Sequence, residues 1–361
     1  MEAIIQLTKD LIAFKSMHSR PEEINHCAEF IERYLRAHAI RYKRLDYENY
    51  PSILVMPPCG AAPVLLMSHI DVVDAPDELF RPVEKDGKLF GRGSIDDKYA
   101  AALSLVLLKE QLEKLRKENK SQDDLAFGIL ITADEEIGGF NGARKALQEI
   151  KTDFCIALDG GTVEKIVVKE KGIVKLKLIS KGQSAHGSRP WLGENAIDKL
   201  FNDYRKIKGF FDQSTPDHWH RTLNFGIVAA GQSFNQVPDY AEATFDIRYT
   251  ENDSMDELLE RMQAQVDGEL VVEMQEPLFR GGDSPYLDLL LEIAPNTIVG
   301  FEHGASDARF LSDYGIKGIV WGANGDMSQH SPAEHVNIES VNRLYRILET
   351  FIAKAGARNP G

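Results

Sequence analysis

The sequence predicts an α/β protein: a discontinuous domain built on a central, mostly parallel sheet, interrupted by an inserted, ferredoxin-like α+β domain. Three observations predict it. Up to about residue 172, short apolar runs alternate with segments of helical periodicity, the pattern of strand–helix units joined into a parallel sheet. From there, strands such as 174–181 alternate apolar and polar residues, so that one sheet face is wetted. After a hinge-like stretch over 277–285, rich in Gly and Pro, the first pattern resumes. The division that follows is residues 1–172 with 283–361 for one domain and 173–282 for the insertion.

The elements follow in order. Ile4, Leu7, Leu11 and Ile12 recur at helical spacing. Ser19-Arg20-Pro21-Glu22 reads as a capping-box helix start with an early proline, and Ile24, Cys27, Ile31, Tyr34 and Leu35 continue that helix's apolar face. Short apolar runs occupy 53–56 and 64–67. A long helix over 100–115 passes into a charged, solvated tail over 113–124. Residues 125–133 are an interior strand, 139–150 a helix and 153–158 a second strand. In the insertion, strand 174–181, helix 195–209, strands 223–229 and 241–249, helix 254–266 and strand 269–276 give the ferredoxin-like order. Helix 286–292, strands 297–300 and 316–321 and a terminal helix over 338–355 complete the first domain.

Composition excludes several classes of function. The 42 Lys and Arg against 56 Asp and Glu leave a net charge of −14, which argues against a nucleic-acid or anionic-membrane surface. An anionic substrate stays allowed, because bound cations reverse the sign locally. Cys27, Cys59 and Cys155 are odd in number, far apart and outside any CxxC, which disfavours a disulfide framework or a thiolate zinc site. A reducing compartment fits, and a cytoplasmic location is expected. The first seven residues mix polar and apolar positions as an amphipathic helix does, not as a secretory leader does. No apolar run approaches the ~18 residues of a membrane helix.

The chemistry gathers where strands end. His69-Ile70-Asp71 follows the apolar run Val64-Leu65-Leu66-Met67. Strand residues i and i+2 share a face, so Asp71 can hold the His69 nitrogen that a metal would not use. Gly91-Arg92-Gly93-Ser94-Ile95-Asp96-Asp97-Lys98 is a Gly-rich turn leading into a helix, with Asp96 at its start, where a plain N-cap is the competing reading. Asp134-Glu135-Glu136 closes an interior strand, and three adjacent carboxylates there cost stability unless cations are present. Asp159 follows the strand over 153–158, and His330 lies in a loop beyond Trp321. Open α/β sheets place their sites at these strand ends. Asp96, Glu136 and Asp159 bring three negative charges, two zinc ions four positive ones, and a bridging hydroxide makes the cluster neutral. Mixed nitrogen and oxygen ligation suits zinc, with cobalt and manganese as alternatives. One bridging carboxylate implies a metal separation of ~3.5–4 Å, and Glu135 is left free as general base and acid.

These segments resemble the di-zinc exopeptidases and deacylases of the aminoacylase, acetylornithine deacetylase, succinyl-diaminopimelate desuccinylase, glutamate carboxypeptidase and dipeptidase group, in order and over nearly the whole chain. The resemblance implies a zinc-exopeptidase catalytic domain interrupted by a lid that often mediates dimers. It places His69 and Asp159 on one metal, Glu136 and His330 on the other, Asp96 between them and a cis peptide after Asp96. Asp71 would orient His69, and Glu135 would be the general base. The lid motif Ser184-Ala185-His186-Gly187-Ser188-Arg189-Pro190 implies that His186 stabilises an oxyanion, sometimes from a partner subunit. Asn235 and Arg248 resemble polar substrate contacts; an Arg fork suits a terminal carboxylate, and an exposed strand ion pair is the alternative for Arg248. The loop from Gly304 through Ser306 to Phe310 resembles one near the substrate, although Ala305 replaces a frequent hydroxyl residue. His218, His220 and His303 read as structural. The implied reaction is hydrolysis of an amide beside a free carboxylate in a dipeptide or N-acyl amino acid. The dipeptidase and deacylase branches both stay open, because Asp159 and Asp96-Asp97-Lys98 favour the former while the short chain favours the latter. A catalytically silent metal-binding module of the same fold is the reading from another class.

Overall fold

In the computed structural model, which describes residues 2–358, the first parallel strands are made by runs with no polar face. Val64, Leu65, Leu66 and Met67 are all buried, as are Phe127 to Ile131, so these strands are covered on both sides. They belong to a nine-stranded sheet in the order Lys43–Tyr47, Tyr50–Val55, Phe127–Thr132, Ala61–His69, Lys151–Ala157, Lys317–Val320, Lys165–Glu170 and Phe279–Arg280, with Ile298–Glu302 pairing Lys165–Glu170. The four strands in its middle are parallel. His69 pairs with Thr132, and Met67 with both Leu130 and Ala157. Ala157 pairs in turn with Val320, so the carboxyl ends of all four strands reach one edge together.

The chain divides into two compact units, one reaching to Lys169 and taking in Arg280–Glu302 and everything from Ser306, the other Glu170–Phe279 with His303–Ala305. The helices Glu2–Ile12, Lys98–Lys117 and Ile338–Arg358 contribute to the first unit's core. In the second, an antiparallel sheet runs Thr222–Ala230, Tyr240–Tyr249, Gly172–Lys181, Glu269–Glu276, the ferredoxin-like order. Val174, Leu176 and Leu178 alternate inward and meet Phe245 and Ile247, Leu200 of the helix Ala196–Lys208, and Leu258 of the helix Met255–Gln263. Among the described residues no helix is long and apolar enough to cross a membrane.

Four expectations need correction. The second helix, Pro21–Ala37, begins without a side-chain cap: the Ser19 hydroxyl donates to Asp74 at 2.7 Å instead. The expected helix over 139–150 is only the turn Ala143–Ala146 followed by a 3₁₀ segment. Gly138, Gly139 and Gly142 precede it, and the first two take positive φ, which spends the helix's opening turn on a bend. The tail over 113–124 is not wholly solvated, since Gln122 is buried and bridges the main chain of Arg41 and Met56. Gly304 and Ala305 fall with the second unit, where the neighbouring His303 ring meets Trp219 at 6.2 Å.

Candidate metal centre

His69 ends its strand almost fully buried and has a partner for each ring nitrogen. Nδ1–H donates to the Asp71 main-chain carbonyl at 3.0 Å, with the Asp71 carboxylate 3.3 Å away, and Nε2 lies 2.9 Å from Asp96 Oδ1. The ring is therefore fixed in direction by the segment that follows it. Asp71 has its own supports: Oδ2 accepts from the Glu136 main-chain N–H at 2.9 Å and from His18 Nε2 at 2.8 Å. Burial alone would raise the Asp71 carboxyl, but the hydrogen bonds from His18 and His69 reverse this and hold it well below the usual range.

Asp96 closes the turn that precedes the helix Lys98–Lys117, and its peptide bond to Asp97 is cis. The helix's N-cap position falls to Asp97, not Asp96. This leaves both Asp96 oxygens for imidazoles, since Oδ2 lies 3.1 Å from His330 Nε2 while Oδ1 faces His69. His330 Nε2 is also 3.2 Å from Glu136 Oε2, and His69 Nε2 is 3.8 Å from Asp159 Oδ2. Two sets of donors result, His69–Asp96–Asp159 and Asp96–Glu136–His330, each with its atoms within 4.8 Å of one another.

The electrostatics fit a pair of divalent cations. Hydrogen bonds donated to Asp96 and Glu136 push the His330 imidazole up to about 10, and for His69 burial, the largest single effect, lowers the value but is outweighed by Asp71, Asp96 and Asp159 together, which raise it. Protons thus occupy the positions where cations would sit. Each set offers one imidazole nitrogen and carboxylate oxygens, donors suited to zinc, cobalt or manganese. Glu135 and Glu136 lie in a 3₁₀ turn, Glu135–Ile137. The Glu135 carboxyl is held well above the ordinary range by desolvation first, then by the charges of Asp159, Asp307 and Asp96, with His69 opposing.

Several supports of this site are given no such role by the sequence. Arg309 donates to the Gly138 carbonyl at 2.8 Å and the Ser306 carbonyl at 2.6 Å, pinning the turn behind Glu135 and Glu136. Gly139 is needed there, because a Cβ would stand 1.9 Å from Asp307 Oδ1. Tyr99 accepts from Ala323 N–H at 2.8 Å and donates to the Leu158 carbonyl at 2.7 Å, fixing the chain just before Asp159. His18 reaches Asp71 because residues 16–18 run beside 70–72, with Ser16 donating to the Ile70 carbonyl and Val72 N–H to the Ser16 carbonyl.

The remaining residues singled out from the sequence lie mostly in the second unit. His186 and Asn235 are neighbours there: Gly187 N–H donates to the Asn235 carbonyl at 2.6 Å, and Ala185–His186 pairs Gln236–Val237. The Ser188 main-chain N–H donates to His186 Nδ1 at 3.2 Å, and its hydroxyl is 2.8 Å from the same atom. Nδ1 is therefore the acceptor, and the ring's proton sits on Nε2. Arg248 spends its fork on Asp246, at 2.8 and 3.1 Å, as the strand ion pair would have it. Ser306, in the first unit, is buried and caps the segment Asp307–Tyr314 through Ala308 N–H; Gly304 has open space around it.

Comparison with known proteins identifies the family. Residues 65–354 match the model of peptidase family M20/M25/M40. A succinyl-diaminopimelate desuccinylase of Wolbachia pipientis is 27% identical over 96% of this chain and 92% of its own length. A probable carboxypeptidase of Uncinocarpus reesii is 24% identical over 95% and 86%. Among solved structures, an M20 family metallo-carboxypeptidase of Sulfolobus solfataricus superposes with a TM-score of 0.79 at 19% identity, covering 99% of this chain and all of that one. A tripeptidase of Staphylococcus aureus gives 0.79 at 20% identity, over 99% and 98%. Fold and donor groups together define a metallohydrolase. The chain belongs to peptidase family M20/M25/M40, and it is an enzyme of the peptidase and amidohydrolase type.

Proposed function

We propose that the protein hydrolyses an amide bond beside a free carboxylate in a dipeptide or N-acyl amino acid, with two divalent cations, zinc by preference, held by His69, Asp96, Asp159, Glu136 and His330. The observation that carries this reading is the sharing of Asp96 between the two donor sets, with Glu135 adjacent to Glu136. Bound there, the cations would polarise the scissile carbonyl and acidify a water molecule. Glu135 would take a proton from that water as general base and return it to the departing amine as general acid. His186, with its proton on Nε2, donates to the carbonyl oxygen as charge builds there. Asp71 keeps His69 from turning. Asn235, Arg248, Gly304 and Ser306 are assigned to the substrate, Arg248 sharing its fork between Asp246 and the carboxylate.

The branch is tested by offering acetyl, succinyl and aminoacyl donors across a series of amino acids, with zinc, cobalt and manganese in turn. We expect chelator-sensitive release of amine from dipeptides or from succinyl- or acetyl-amino acids. A metal-loaded protein that cleaves none of them would instead be the silent module of the same fold. A homodimer through the second unit belongs to the same proposal, because the strand Thr222–Ala230 lies at a sheet edge and leaves Ile227 63% exposed. Sedimentation should give twice the 40.4 kDa chain mass, and Ile227→Lys should halve it; a wild-type monomer removes this part.

A further inference from the structure

We propose that Glu334, through its pairing with Arg92, is a positioning residue that sets how tightly the Asp96–Glu136–His330 group, more than its neighbour, holds an ion. The inference rests on the two-cation reading above. Glu334 lies four residues beyond His330 and is 2% exposed, while Arg92 lies four residues before Asp96 and is 3% exposed. Their side chains form a buried ion pair between Arg92 Nη1 and Glu334 Oε2. Glu334 Oε1 also accepts the Gly93 main-chain N–H at 2.8 Å, and its main-chain carbonyl accepts Gly91 N–H at 3.1 Å. The Gly91–Asp96 turn thus hangs from one residue by both side chain and backbone.

Two loops distant in sequence are joined at two points. At one, the Asp96 carboxylate meets His330 at 3.1 Å. At the other, the Arg92 turn meets Glu334, so moving one point moves the other. His330 needs such help: its side chain is 53% exposed and its backbone φ is +60°. The loop around it is held by short-range bonds, Ser331 hydroxyl to the Ser328 carbonyl and His335 N–H to the Ser328 hydroxyl, and at its two ends by Lys88 on Asp326 at 2.6 Å and the pairing of His335 with Phe90. His69 does not depend on this link. It sits on an interior strand, and its ring is held by the Asp71 carbonyl and carboxylate. A supporting partner of a ligand changes metal affinity typically by about 10–100-fold. Here that effect falls more heavily on the set that also holds His330, because Asp96 is common to both sets while His69 keeps its own supports.

The test is zinc titration of chelator-treated protein by calorimetry with a competing chelator. Wild type should take two ions. Glu334→Gln, which deprives Arg92 of its counter-charge, should weaken one ion by about 10–100-fold and the other clearly less. His330→Ala should leave one ion, and adding Glu334→Gln to it should weaken that ion by less than the larger loss seen in Glu334→Gln alone. Equal weakening of both ions in Glu334→Gln, unchanged binding, or an equally large loss in the His330→Ala background would each overturn the proposal, the first and last by showing a general support of the fold. If far-UV circular dichroism shows Glu334→Gln unfolded, Arg92→Lys replaces it: the same selective loss, smaller, is expected, and equal or absent loss overturns the proposal. Wild-type protein taking fewer than two ions would topple the two-cation reading itself, a result distinct from any of these.

Discussion

The two units hold their candidate site residues in opposite ways. In the first, Asp71 is fully buried and is held by His18, 53 residues away, and by the main chain of Glu136, 65 residues away. Arg309 reaches Gly138 across 171 residues. In the second, His186, Asn235 and Arg248 each take a side-chain partner two residues away: Ser188, Ser233 and Asp246. His186 and Asn235 are exposed. Groups locked by distant, buried partners are preorganised, and the folding free energy carries the cost of ordering them. Groups with local, exposed partners keep their rotamer freedom and answer to what binds. Damage to these residues in the first unit should therefore register in ion binding and stability, and damage to those in the second in turnover alone.

The largest expected effect tests the exception within the first unit. Glu135→Gln should lower kcat by about 10²–10⁴-fold while two ions stay bound, since Glu135 moves protons and is no ligand. Normal turnover in that variant would end its assignment. Next, His186→Ala should cost about 10²–10³-fold in kcat with ion content and thermal midpoint unchanged; loss of an ion there would break the contrast between the units. Third, zinc loading at pH 7 should release about two protons, because His69 and His330 (raised to about 10) are protonated in the ion-free protein and must be neutral to bind. Calorimetry in buffers of different ionisation heat measures this, and affinity should rise with pH as the His330 proton becomes easier to displace. A proton count of zero would mean that the imidazoles are not where the cations go.

The smallest effect concerns Asp307, pushed up to about 7 by burial first and by Asp134 next, against Arg309, and with Oδ1 lacking a partner. A carboxyl whose folded value is raised stabilises fully below its unfolded value near 3.8 and withdraws that stability as pH rises through about 7. Asp307→Asn removes this dependence. Relative to the variant, chelator-treated wild type should lose on the order of 1–3 kcal/mol between pH 4 and pH 7.5 in denaturant titrations. Parallel pH profiles for the two proteins would place the proton elsewhere.

What could be read from residues alone follows the same division between local and distant. His69, Glu136 and Asp159 were legible because hydrophobic runs mark where strands stop, and a parallel sheet brings those stops together; Asp96 was legible from the Gly-rich turn that leads into a helix. The inserted unit was legible from alternation, since Leu176 and Leu178 point inward while Lys175 and Lys177 point to solvent. His18 was not, because nothing local says that residues 16–18 will run beside 70–72. Glu334 was equally silent, for its partners lie 241 and 242 residues away. Arg248 did carry a local signal, as Asp246 shares its strand face. Ser19 shows the reverse failure: its hydroxyl leaves its expected cap for a side chain 55 residues distant.

One hydrogen bond in the first unit bears on how such a chain could have been assembled. Gly281 N–H donates to the Val168 carbonyl at 2.8 Å, so the polypeptide departs from the sheet and returns to it through adjacent openings. Whatever is spliced between those two points leaves the host's strands unstretched, and lengthening the guest adds only slowly to the entropy of bringing the ends together. The metal-bearing half can thus trade one guest for another, or accept a longer one, without redrawing its own blueprint.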